Sequence, residues 1–149
     1  MSFLNLFHHH TAPPLLVGEL IHWDETLSVD NPVIDSEHRA IVESLNRVYA
    51  DWMAANHRLD LEEELGKLAA LVETHFANEE DLMTRHHCPT LPDHARDHRD
   101  MLAEMHAITI NVHAIPQAKL EAQLLRFIRR LVMGHVLSWD MDARDYLRA

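Results

Sequence analysis

The residues that decide the fold run from 75 to 83: His75-Phe76-Ala77-Asn78-Glu79-Glu80-Asp81-Leu82-Met83. His75 and Glu79 are four positions apart, and at about 100° per residue an α-helix places such a pair on one face, a turn apart. The pattern around them fixes which face. Leu61, Leu65, Leu68, Val72, His75, Glu79 and Leu82 follow helical spacing, so imidazole and carboxylate lie on the stripe that a helix buries. A buried carboxylate is costly unless it is paired or binds a metal. The stretch therefore predicts a long helix and requires a cation beside Glu79.

Three further helices are legible around it. Asn31-Pro32 reads as an N-cap followed by proline at the first helical position. The helix it opens carries the stripe Ile34, Ile41, Val42, Leu45, Val48, Tyr49 and Trp52, with His38 set into it. The helix of His75 has a capping-box-like opening at Asp60-Leu61-Glu62-Glu63 and runs to about His86. Cys88-Pro89-Thr90-Leu91-Pro92 then breaks the chain. A third helix runs from near Pro92 to about Asn111, with His94, His98, Met101, Leu102, Met105 and Ile108 inside. Pro116 opens a fourth, with the stripe Leu120, Leu124, Ile128, Leu131 and His135, and a short tail follows from Ser138.

Each helix is about 20 residues or roughly 30 Å long. Short connections between them predict an all-α fold, an up-down-up-down antiparallel four-helix bundle with an N-terminal arm. Residues 23–149 form the bundle domain and residues 1–22 the arm. The arm has an apolar tip (Phe3, Leu4, Leu6, Phe7), three consecutive histidines (His8 to His10) and Pro13-Pro14. The histidines carry no assigned role.

Composition narrows the function. The 149 residues suffice for one domain and one sizeable core. A 47% apolar content with only three glycines favours long helices over turn-rich β structure. A net charge of -11 argues against a nucleic-acid or anionic-membrane partner, either of which needs clustered Lys and Arg. The single cysteine, Cys88, rules out an internal disulfide and fits a reducing compartment. No apolar run approaches the ~20 residues of a membrane span, and Met1 to Phe7 lacks the basic start of a signal peptide, so a cytoplasmic location is expected.

Fourteen histidines are far more than packing requires. His38, His75, His94, His98 and His135 interrupt the four buried stripes together with Glu79. In register, an antiparallel bundle brings them to one level. A lone buried histidine is ordinarily a hydrogen-bonded core residue. Five that converge on a carboxylate are otherwise five buried polar groups, each costing roughly 1–3 kcal/mol when unsatisfied. Metal coordination satisfies them together.

No buried thiolate biases the set towards an Fe–S cluster, and there are too many ligands for one tetrahedral zinc. The number suits two six-coordinate ions that share bridges. A second bridging carboxylate is then expected near His135, from Asp140 or Asp142. In a continuous α-helix Asp140 lies about 140° from His135. It reaches the site only if the fourth helix bends or ends just after His135.

These residues resemble the hemerythrin signature: His75-Phe76-x-x-Glu79-Glu80-x-x-Met83, His94-x-x-x-His98, His135-x-x-x-x-Asp140, and Ile34-Asp35-x-Glu37-His38 preceded by Trp23. The resemblance covers roughly residues 20–148 and is closer to the bacterial hemerythrins. It implies a non-haem pair of iron ions (Fe2+/Fe3+) that binds O2 reversibly. By that likeness His94, His98 and His135 hold one iron, and His38 and His75 hold the other with one position open. Glu79, Asp140 and an oxo or hydroxo group bridge them, and Val42, Phe76 and Met133 line the O2 pocket.

Glu37 departs from the glutamine common at its position, and His86-His87-Cys88 replaces the usual aromatic stretch. His22, His57, His106 and His113 match no ligand position and read as surface or outer residues. The resulting expectation is an O2 binder, not an enzyme, that serves carriage, storage or delivery to an oxygen-consuming enzyme. An O2, redox or iron sensor acting through a signalling partner docked at the arm, and a di-iron oxidase or peroxidase-type stress protein, are the competing functions. Ferritin-like oxidases use more carboxylates than this histidine-rich set.

Overall fold

The computed structural model describes residues 21–53 and 57–148. Of the expected arm only Ile21 and His22 fall within them; its apolar tip and His8 to His10 lie outside the described residues. Four long helices form an antiparallel up-down-up-down bundle, and no strand occurs among the described residues. They are α1 (Pro32–Met53), α2 (His57–Arg85), α3 (Leu91–Ile110) and α4 (Gln117–Arg129). A short α5 (Arg144–Leu147) closes the chain. No described helix is long and apolar enough to cross a membrane.

The ends of the helices follow from their sequences. Asn31 Oδ1 accepts from the backbone N–H of Val33 at 2.9 Å and of Ile34 at 3.2 Å, which caps α1 as its sequence predicts. Helix α2 is already helical at His57, so Asp60 stands inside it rather than at its cap. At its other end, Cys88 N–H bonds the Met83 carbonyl at 2.8 Å and His87 N–H bonds that of Thr84 at 3.2 Å. His87 takes φ 54° in the left-handed region between them. This is a Schellman ending without glycine, and the buried Met83 and Cys88 supply its apolar contact.

The fourth helix, which the sequence reading required to bend or end just after His135, does not end there. It continues from Arg130 to Asp140 as a π-helix. There each turn is closed by an i→i+5 bond, so residues five apart stack as residues four apart do in an α-helix. His135 and Asp140 are five apart, and both are fully buried. The helix widens, and the second carboxylate turns inward.

Two apolar clusters make up the interior. The larger includes Leu45, Leu68, Met101, Met105, Leu120 and Phe127. The smaller gathers Val29, Ile34, Met83, Cys88, Ala143 and Leu147. Each of the four long helices passes from one cluster to the other across its polar positions: Ile34 to Ile41 across His38, Phe76 to Met83 across Glu79, Leu91 to Met101 across His94 and His98, and Val132 to Ala143 across His135 and Asp140. The polar level is thus sealed by apolar packing above and below.

Candidate metal centre

Seven side chains meet at that level: His38 from α1, His75 and Glu79 from α2, His94 and His98 from α3, and His135 and Asp140 from the π-helical end of α4. All are between 0 and 2% exposed. Asp142, the other carboxylate considered from sequence, is exposed, as are His22, His106 and His113. The side chain of His57 lies outside the described residues.

Two overlapping groups can each hold a cation. One comprises Glu79, His94, His98, His135 and Asp140; the other comprises His38, His75, Glu79 and Asp140. The carboxylates belong to both. Asp140 Oδ1 lies 3.1 Å from His94 Nε2 and 3.0 Å from His135 Nε2, while its Oδ2 lies 3.2 Å from His38 Nε2. Glu79 Oε2 lies 3.4 Å from His98 Nε2 and 3.5 Å from His75 Nε2.

Among the described residues, none of the four carboxylate oxygens has an aligned hydrogen-bond partner, and neither does Nε2 of His38 or His75. His135 Nε2 lies 2.9 Å from His98 Nε2 and 3.2 Å from His94 Nε2. Nitrogen lone pairs at such separations repel unless a proton or a metal ion lies between them. Ligands at right angles on an ion with bonds of ~2.1 Å are themselves ~3 Å apart. The donor set fits a pair of cations.

Electrostatics point the same way. Burial and the neighbouring Asp140 charge push the Glu79 carboxyl up, but His75, His135 and His98 outweigh them and hold it well below its ordinary value. Burial likewise raises Asp140, and His135, His38 and His94 pull it well below the usual carboxylate range. Both carboxylates are kept charged, so the level is built to hold positive charge.

Sequence reading gave no role to the groups that orient the rings. Glu37 Oε2 accepts from His75 Nδ1 at 2.9 Å, Glu80 Oε1 from His98 Nδ1 at 2.8 Å, and Asp97 Oδ2 from His135 Nδ1 at 2.8 Å. A carboxylate accepts here, so each Nδ1 carries the hydrogen and each Nε2 is left free to bind a cation. Burial raises Asp97, but the hydrogen bonds from His135 and Arg130 bring it down to about 2. Arg130 spans Asp97 at 2.9 Å and Glu104 at 3.1 Å.

The signal was available in the sequence. Glu37, Glu80 and Asp97 are each the chain neighbour of an inward-facing His38, Glu79 or His98. A neighbour on a helix lies about 100° round, at the edge of the buried stripe, where it reaches a ring on the next helix.

The expected pocket residues are placed differently from one another. Val42 lines a narrow apolar cavity beside His38 and His75, together with Trp23, Leu27, Leu131 and Val136. The cavity leaves about 10 Å³ for the centre of a water-sized sphere, the scale of one small guest. Phe76 stacks on His98 with ring centroids 3.8 Å apart and lies 5.7 Å from His75. Met133 is half-buried against the larger apolar cluster.

Comparison with known proteins agrees with this arrangement. The Hemerythrin HHE cation binding domain family model matches residues 30–144. The chain is 25% identical over 130 residues to a bacteriohemerythrin of Stenotrophomonas maltophilia (strain R551-3), covering 87% of this chain and 83% of that protein. It is 23% identical over 131 residues to a myohemerythrin of Theromyzon tessulatum, covering 88% and 97% respectively. The fold matches a crystal structure of wild-type hemerythrin with a TM-score of 0.75 at 21% identity, over 87% of this chain and 99% of that one.

Proposed function

This chain belongs to the hemerythrin family, and from that premise we propose that it binds O2 reversibly at a non-haem di-iron centre. His94, His98 and His135 would hold one iron, and His38 and His75 the other. Glu79 and Asp140 would bridge them. The observation that carries the reading is the pair of overlapping donor groups, with three histidines in one and two in the other, and the apolar cavity beside the smaller. An iron pair bound there supplies the electrons and the open coordination position that O2 requires.

The chain's own residues do the rest. Glu79 and Asp140, which belong to both donor groups, would offset part of the charge of a bound cation pair. Glu37, Glu80 and Asp97 aim the Nε2 atoms of three rings inward. The cavity admits a small neutral guest to the two-histidine half, and its hydrocarbon walls exclude water and larger oxidants. That seclusion favours binding over turnover, because among the described residues only His38, His75 and the indole N–H of Trp23 bring polar atoms to the cavity lining, and none is a carboxyl that could deliver protons.

The test is iron per chain, with visible spectra of the reduced protein before air, in air and after deoxygenation. Two irons, with a charge-transfer band that appears in air and vanishes when O2 is removed, are expected. Irreversible passage to the ferric state would overturn reversible binding and favour a redox sensor or an oxidase.

A further inference from the structure

Three walls of the cavity beside His38 and His75 come from α1, α2 and α4; the fourth comes from Trp23 and Leu27, which precede the bundle. Residues 21–29 thus lie across the cavity as a strap, and side chains of α1 hold both of its ends. At one end, Asp35 accepts from Ser28 Oγ at 2.7 Å and from Val29 N–H at 2.9 Å. At the other, the Asn46 amide binds both backbone groups of one residue: Oδ1 accepts from Ile21 N–H at 2.9 Å, and Nδ2 donates to Ile21 C=O at 2.8 Å.

Between these clasps, Trp23 faces the His38 ring at 6.2 Å, with the Arg39 guanidinium 4.9 Å above its indole. Asn46 itself neither lines the cavity nor belongs to either donor group of the metal centre. Only a side chain with both an acceptor and a donor can reproduce its double bond to the strap.

We propose that Asn46 is a positioning residue that holds the strap over the cavity and so sets how fast a small ligand reaches His38 and His75. The cavity's role rests on the function proposed above. A gate of this kind changes entry and exit together and leaves the affinity alone, because the clasp on Ile21 is made in free and occupied protein alike, so loosening it shifts both states equally.

The test uses Asn46→Leu, which removes both bonds at similar size, and Asn46→Asp, which keeps only the acceptor. Azide is mixed with the iron-loaded ferric protein by stopped flow, and hydrogen exchange is followed at the Ile21 amide. Asn46→Leu should raise azide association and dissociation about tenfold each, hold Kd within about twofold, and speed Ile21 exchange; Asn46→Asp should fall between.

Faster Ile21 exchange with unchanged azide rates would overturn the proposal, since the strap would then be released without opening the cavity. Unchanged exchange would overturn it too, because Asn46 would not be the clasp. Xenon exchange with the protein as purified makes the same comparison without depending on iron: it should quicken in Asn46→Leu, and an unchanged rate counts against the gate. If wild type takes no azide, the di-iron reading fails, and xenon still decides the gate.

Discussion

Around His94, His98 and His135 the bundle fixes two of the three rings from outside. Glu80 grips His98, Asp97 grips His135, Arg130 braces Asp97 against Glu104, and Phe76 stacks flat on His98. Around His38 and His75 only one ring is gripped, by Glu37, which itself receives a hydrogen bond from Asn78. Among the described residues His38 Nδ1, like His94 Nδ1, has no hydrogen-bond partner, but it is at His38 that the hydrocarbon-walled cavity lies. The grips run from α1 to α2, α2 to α3 and α3 to α4. A fourth from α4 to α1 would complete the circuit, and the cavity lies in its place. Polar support is missing where a guest is to be admitted, so rigidity and access are divided between the two halves.

The largest effect should come from removing what the halves share. Asp140→Ala takes away the oxygens that face His38 on one side and His94 and His135 on the other. Paired iron should be lost, with iron per chain falling to about one or below by metal analysis, while circular dichroism stays helical. Retention of both ions would remove Asp140 from the bridge. His75→Ala should separate the halves: the three-histidine group keeps its ion, the other is lost, and O2 binding goes with it. Normal O2 binding in that variant would mean that the open position lies elsewhere.

Much of this division could be read before any coordinates. The four apolar stripes have α-helical period, and every histidine expected to face inward from them is buried. The position of Asp140 could not be read in the same way. Facing angles were reckoned at 100° per residue, and the π-helical widening that carries Asp140 inward leaves no local mark, since residues 130–140 hold no proline and a single glycine. Sequence required a break there, and the chain met the requirement by changing its helical repeat. The ending of α2 was equally hidden, because His87 occupies a left-handed position where glycine is the usual signal. The cavity was half legible: Val42 lies on the buried stripe of α1, but Trp23 and Leu27 come from a segment with no periodicity to place it.

The cavity offers the next test in order of size. Val42→Phe puts a ring into space that holds about one small guest. Overpacking of this kind costs about 1–3 kcal/mol where neighbours must shift, and here the void absorbs part of it. Two irons should remain, and the affinity for O2, or for azide in the ferric protein, should fall about tenfold or more. Equal loss of iron from both halves would mean that the void supports the centre instead of serving a guest.

The smallest effects concern the grips, and here the halves can be compared like for like. Asp97 and Glu37 are similarly placed, at 19% and 21% exposure. They differ in what else they hold. Asp97 takes hydrogen bonds from His135 and from the Arg130 guanidinium, so Asp97→Asn loses a charged partner as well as a charge. Removing such outer support typically weakens metal binding 10–100-fold, and the lower end, about tenfold, is expected for the three-histidine ion. Glu37→Gln keeps a carbonyl oxygen for His75 Nδ1, and the exposed Asn78 amide can turn to present its own oxygen to the new NH2. Only the charge is lost, so affinity for the two-histidine ion should change about threefold or less. Competitive chelator titration of the two variants measures both numbers. A larger loss from Glu37→Gln than from Asp97→Asn would reverse the comparison, and would place the rigid support of this centre on the side of the cavity.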